Sequence, residues 1–295
     1  MELGTLFNFA ILLFCGLIFA KIIRYFKLPD VTGYLIGGLI IGPSVLGLLS
    51  ADAVAGLSLV SDVALGFIAF SIGSEFKFSY IKEIGAKPMV ITAFEGCVAS
   101  LLVFLTLLAL GQPLPMCLAL GAIAAATAPA ATLMVVRQYK ANGPVTRMLL
   151  PVVAMDDALG LMLYAIMMAI ARTLDSGAAL SVMTLLVKPL IEIVGSLVMG
   201  VLIGTVMVFC LRFFHSRGNK LTMTILIVFL AVGLSTMLDL SSLLVCMMIG
   251  ATMINVSNDS PALLEQCDRF TPPLFLLFFV LSGASLDLSV LPTVG

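Results

Sequence analysis

Ten apolar runs of about 17–25 residues, separated by short turns, decide what this chain can fold into. They lie near residues 4–23, 31–49, 58–74, 88–110, 116–136, 148–170, 189–211, 221–238, 240–255 and 272–290. The run 240–255 falls just short of the length needed to cross the hydrocarbon of a bilayer, and the other nine reach it. There the backbone must satisfy its own donors and acceptors, so each run is expected to be an α-helix. The turns carry Gly, Pro, Asn and charge, as in Gly111-Gln112-Pro113, Ala141-Asn142-Gly143-Pro144 and Ser216-Arg217-Gly218-Asn219. No long polar stretch interrupts the series, so residues 1–295 form one membrane domain. The expected fold class is an all-α polytopic membrane protein with about ten transmembrane helices.

Composition agrees. The chain is 61% hydrophobic and 11% charged, where a soluble domain is about half apolar and a quarter charged. The bilayer is therefore the first partner. No basic tract suggests nucleic acid, and the first apolar run lacks a cleavage pattern, so it is a retained span. The six cysteines are scattered without metal-ligand spacing and suit small buried positions. The single histidine, His215, falls in a basic loop and suits solvent.

Charge placement tests the ten-span map. Loops after odd-numbered runs hold 13 of the 15 basic residues, and loops after even-numbered runs hold only Arg172 and Lys188. The positive-inside rule then puts the basic loops in the cytoplasm and both Met1 and Gly295 outside. An integral protein of a prokaryotic cytoplasmic (inner) membrane is expected.

Against that apolar background the sixth run holds two adjacent acids, Asp156 and Asp157. A carboxylate at the centre of a membrane helix costs about 2.5–3.5 kcal/mol by insertion scales, and two neighbours also repel. Such a pair is expected to carry a proton or a cation. The two positions diverge by about 100° around a helix, so they have different tasks. One faces water and binds the ion; the other is anchored to protein. Burial and like charge let protons compete with a cation for the site, as a coupled pair. Glu95 lies at similar depth in the fourth run, as an accessory ligand or as a buried acid bonded to a neighbouring hydroxyl. The fifth run contains Ala124-Ala125-Ala126-Thr127-Ala128-Pro129-Ala130-Ala131-Thr132. Pro129 removes a backbone donor, small residues let another helix approach, and Thr127 and Thr132 add hydroxyls. A broken helix facing an ion site is expected there.

At these residues the chain resembles the monovalent cation:proton antiporters, in particular the antiporter-2 branch of Na⁺/H⁺ and K⁺/H⁺ exchangers. Residues 29–47 are similar to that family's early "P-x-x-x-G-Y-L-x-x-G-x-x-x-G-P-S-x-L-G" pattern. Thr127 to Thr132 fall where the family has its first unwound helix, and Asp156-Asp157 where electrogenic members carry an acid pair. Phe278, Phe279, Gly283, Leu286 and Asp287 resemble a later "F-F-x-x-x-G-x-x-L-D" span. The resemblance implies inverted repeats, a core domain that slides like an elevator against a dimerisation domain, and a homodimer. It implies Asp157 as the main Na⁺ and proton carrier, Asp156 as its partner, and Thr127 and Thr132 with nearby backbone lining the site. No cofactor is implied; Na⁺ (or Li⁺) and H⁺ are cargo. It also implies further spans beyond Gly295, holding a membrane lysine or arginine and a second broken helix, so the domain is expected to be incomplete at its C-terminal end. The alternatives are a K⁺/H⁺ antiporter, whose usual pattern sets one acid beside an amide, and a non-transporting sensor or scaffold on the same fold. An intramembrane aspartyl protease places its acids on separate facing helices, unlike this adjacent pair.

Overall fold

A computed structural model describes residues 4–74, 85–127, 129–176, 187–214, 216–257 and 260–290. His215 lies outside them. The described residues contain helices and no strand. In order these are α1 (Thr5–Tyr25), α2 (Asp30–Ile41), α3 (Ala51–Gly56), α4 (Ser58–Gly73), α5 (Lys87–Ala109), α6 (Leu114–Ala124), α7 (Pro129–Gln138), α8 (Pro144–Ser176), α9 (Lys188–Leu211), α10 (Arg217–Met237), α11 (Ser242–Val256), α12 (Ser260–Phe270) and α13 (Pro272–Ala284). A short 3₁₀ turn follows at Leu288–Val290.

Four helices among the described residues are long and apolar enough to cross a membrane: Thr5–Tyr25, Lys87–Ala109, Leu190–Leu211 and Arg217–Met237. Six shorter apolar helices accompany them. Large apolar side chains point outward along α5 and α9, among them Phe94, Leu101, Val198 and Phe209. A helix that is apolar all round requires an apolar surrounding. Several runs differ from their sequence boundaries. The second run is helical only to Ile41, because Gly42 takes an extended ψ and Pro43 follows. The last run leaves its helix at Ala284. Two helices fall where no apolar run stood: the six-residue α3, and α12, which is short and amphipathic, with Leu263 and Cys267 buried one turn apart.

The chain divides into two compact units, residues 1–68 with 262–295, and residues 69–261. In the first, α1, α2 and α13 pack together. A Cβ on Gly38 would lie 1.9 Å from the Val280 carbonyl oxygen, and a Cβ on Gly283 would lie 2.1 Å from the Leu35 oxygen. Each helix thus offers a glycine to the other's backbone, three residues after the carbonyl that meets its partner's glycine. Close approach of this kind is what small residues permit in membrane helices. The second unit repeats the device. A Cβ on Gly73 would lie 1.8 Å from the Met247 oxygen, and one on Gly250 would lie 2.1 Å from the Phe70 oxygen.

The α1–α2 turn is fastened by charge. Arg24 donates from Nε to Asp30 Oδ1 at 2.7 Å and from Nη2 to Asp30 Oδ2. The carboxylate is buried and the guanidinium largely exposed. Asp30→Asn keeps the shape but loses the charge-assisted pairing, worth about 1.5–3 kcal/mol at most. A lower detergent melting temperature is expected, with Arg24→Gln adding little once Asp30 is changed. A full extra loss in the double variant would show that the two residues act separately.

Candidate functional site

The fifth apolar run is broken. Helix α6 stops at Ala124; the amides of Ala125 and Ala126 reach back only three residues, to the carbonyls of Ala122 and Ile123. The chain resumes as α7 with Pro129 as its first residue. Proline suits that place because a first-turn amide has no helical partner to lose. The break therefore falls just before the proline. Thr127 sits in the gap, and its amide belongs to no helix.

That amide has a side-chain partner. Thr127 N–H donates to Asp156 Oδ2 at 2.8 Å. Asp156 lies in α8 and is 0% exposed. The carboxylate thus docks beside the start of α7, where freed amides and the helix dipole favour negative charge. Two atoms at this junction are buried without a hydrogen-bond partner among the described residues, Asp156 Oδ1 and Thr127 Oγ1.

Helix α5 builds the other wall. Its buried positions, Pro88, Thr92, Gly96 and Ser100, recur every four residues. Thr92 Oγ1 donates to the Val152 carbonyl on α8 at 3.4 Å, and Ser100 Oγ approaches Met167 Sδ at 3.6 Å. A Cβ on Gly96 would lie 3.5 Å from Asp156 Oδ1 and 2.7 Å from Leu159 Cδ2. Gly96 therefore lets α5 close over the carboxylate. Its neighbour Glu95 is exposed, near enough for the two charges to interact. That position is not the buried acid bonded to a hydroxyl considered from the sequence.

The structure thus joins two expected residues directly, Asp156 and Thr127, through backbone and carboxylate. Thr132 lies one turn into α7 and is half-buried. Asp157 is the next residue of α8; its side chain, like that of Pro129, lies outside the described residues. Sequence reading missed Gly96 and Gly160. The first shields the acid; the second packs on the break, its hypothetical Cβ 3.4 Å from Ala126 Cβ. The signal for Gly96 was present, since Thr92, Gly96 and Ser100 make a small-residue stripe on an otherwise bulky helix. A larger cavity of about 730 Å³ lies in the first unit, lined by Ser44, Asp62 and Asp287 among others. None of the expected site residues lines it.

A helical membrane protein with a carboxylate docked on a broken helix is the class these features define. Residues 9–294 match the family described as sodium/hydrogen exchanger, transmembrane, and the chain belongs to that family. It is 26% identical to the Na(+)/H(+) antiporter NhaS4 of Synechocystis sp., over 94% of this chain and 71% of that protein. It is 22% identical to the High-affinity Na(+)/H(+) antiporter NhaS3 of the same organism, over 98% of this chain and 69% of that protein. Among solved structures it resembles the sodium proton antiporter MjNhaP1 of Methanocaldococcus jannaschii at pH 8, with TM-score 0.75 and 22% identity, covering 98% of this chain and 72% of that one. An electron-microscopy structure of the same protein gives TM-score 0.78 at 22% identity. At that identity the likeness speaks for the fold.

Proposed function

We propose that this chain exchanges Na⁺ (or Li⁺) for H⁺ across the membrane, with Asp157 as the carrier and Asp156 as its anchored partner. The observation that carries this reading is the Asp156 carboxylate held by the Thr127 amide at a helix break. One carboxylate oxygen and the Thr127 hydroxyl oxygen are left buried there without a hydrogen-bond partner among the described residues. Unpartnered buried oxygens at an unwound helix suit a hard monovalent cation or a proton. Asp156 needs no ion to be held, since its Oδ2 is already bonded. Asp157, the next residue, is then free to load and unload. Protons and Na⁺ compete for that carboxylate, and competition yields exchange when only a loaded site crosses.

The same reading includes the finer family assignments. These are the electrogenic Asp-Asp type of the antiporter-2 branch, ten spans in one transport domain with the N-terminus outside, a homodimer, and an elevator movement of a core domain. Thr132 lines the site and Glu95 serves as an accessory acid within it. Inverted repeats draw support from the two reciprocal glycine crossings. Each crossing takes one helix from the first half of the sequence and one from the second: α2 with α13, and α4 with α11. Two related halves produce that arrangement naturally.

The test is Na⁺-driven proton movement in proteoliposomes. The parent protein is expected to be active and Asp157→Asn inactive. Equal activity in both moves the carrier away from Asp157. Activity driven by K⁺ and not by Na⁺ or Li⁺ replaces the cargo.

A further inference from the structure

Two adjacent acids take different tasks only if α8 keeps one rotation. Asp156 and Asp157 diverge by about 100° around the helix. A turn of one position would offer the second carboxylate to the Thr127 amide in place of the first. The amide cannot choose between two identical side chains, so something else must fix the rotation. Thr92 holds α8 only weakly. Its hydroxyl has one hydrogen, and the Pro88 carbonyl at 2.9 Å is a nearer acceptor than the Val152 carbonyl at 3.4 Å.

The stronger constraint is shape. Leu159 stands three residues after Asp156, on the same side of α8. A Cβ on Gly96 of α5 would lie 2.7 Å from Leu159 Cδ2 and 3.6 Å from its Cγ. The tip of Leu159 therefore occupies the place that a side chain at position 96 would take. The same Cβ would lie 3.5 Å from Asp156 Oδ1. That oxygen belongs to a residue that is 0% exposed, and it has no hydrogen-bond partner among the described residues. One notch on α5 thus receives leucine and acid together. A turn of α8 by one position would bring Gly160 to the notch instead of Leu159. Glycine would then face glycine, and the space would stand empty, which costs stability as any core void does.

We propose that Leu159, seated against Gly96, sets the rotation of α8 and so selects Asp156 rather than Asp157 for docking on the helix break. The inference rests on the exchange reading where it leaves Asp157 to the cargo, and it adds the two positioning residues. Gly96→Ala displaces the tip of a flexible side chain, so the protein is expected to fold. Leu159→Ala empties the notch. Either change is expected to loosen the bond from Thr127 to Asp156, so that the Thr127 amide takes up deuterium about tenfold faster. In the double variant the new methyl at position 96 refills part of the notch, and uptake is expected to return toward the parent's. Uptake is read by mass spectrometry over residues 122–127. The packed pair α9 and α11, where Gly200 meets Met248, is expected to keep the parent's uptake. In proteoliposomes the KM for Na⁺ is expected to rise about tenfold in each single variant, with kcat changed less, and to recover in the double variant. Parent-like uptake over 122–127 in both single variants, additive effects in the double, or faster uptake in α9 and α11 as well overturns the positioning role. Faster uptake with an unchanged KM overturns the selection between the aspartates. If the parent moves no protons with Na⁺, Li⁺ or K⁺ while the uptake pattern holds, the exchange reading fails and the positioning role stands.

Discussion

Gly38→Ala is expected to yield little folded protein. The added methyl would stand 1.9 Å from the Val280 carbonyl oxygen, and that oxygen is backbone inside α13. No rotamer change relieves the collision, so α2 and α13 must separate. Separation also opens the reciprocal contact, where a Cβ on Gly283 would stand 2.1 Å from the Leu35 oxygen. Overpacking a core costs about 1–3 kcal/mol, and a collision between two backbones belongs at the upper end. Membrane helices pack through close van der Waals contact without a hydrophobic force between them. Losing contact along α2 therefore removes what holds it. Gly233→Ala is the companion variant. That glycine lies inside α10 with nothing within 4 Å of its hypothetical Cβ, so the change brings only better helix propensity, about 0.8–1 kcal/mol. Fluorescence-detected size exclusion after stepwise heating compares the two. Gly38→Ala is expected to melt well below the parent and Gly233→Ala at or above it. A Gly38→Ala protein with the parent's melting behaviour would refute the tight α2–α13 crossing.

Hydrophobic runs made much of this architecture legible, because in lipid length and apolarity nearly dictate a helix. The break in the fifth run was legible too, from Pro129 among small residues. What escaped were features set by neighbours in space. The end of the second run's helix is the exception, a local signal at Gly42 and Pro43 hidden because the run as a whole stays apolar enough to span. Helix α12 carries too little apolar length to register, although Leu263 and Cys267 are spaced for one buried face. The site divides similarly. Asp156 announced itself by being an acid in an apolar run. Its anchor is a backbone amide, and backbone amides carry no sequence signature. The sequence left open which of the two aspartates is anchored. The 2.8 Å bond from Thr127 to Asp156 makes Asp156 an anchored one. Gly96 went unnoticed because a glycine's contribution is the space it leaves, and that space has meaning only once α8 is beside it.

Asp156→Asn and Asp156→Ala are expected to fail in different ways. The asparagine keeps a carbonyl oxygen that accepts from Thr127 N–H, so the break stays closed and the protein stays folded. It loses the charge that the α7 terminus favours and that pairs with a cation. The alanine removes the acceptor. Thr127 then keeps a part-buried amide without its carboxylate partner, which costs up to about 1–3 kcal/mol, and a void opens beneath Gly96. Melting temperature is thus expected to fall little in Asp156→Asn and clearly in Asp156→Ala. Na⁺-dependent proton movement is expected to drop strongly in both. The pattern separates two roles that a single substitution confounds. If Asp156→Asn exchanges ions like the parent, the carboxylate's charge is dispensable and Asp156 acts purely as a clamp on the broken helix. If Asp156→Ala is as stable as the parent, the Thr127 bond does not hold the break, and the anchoring of Asp156 falls with it.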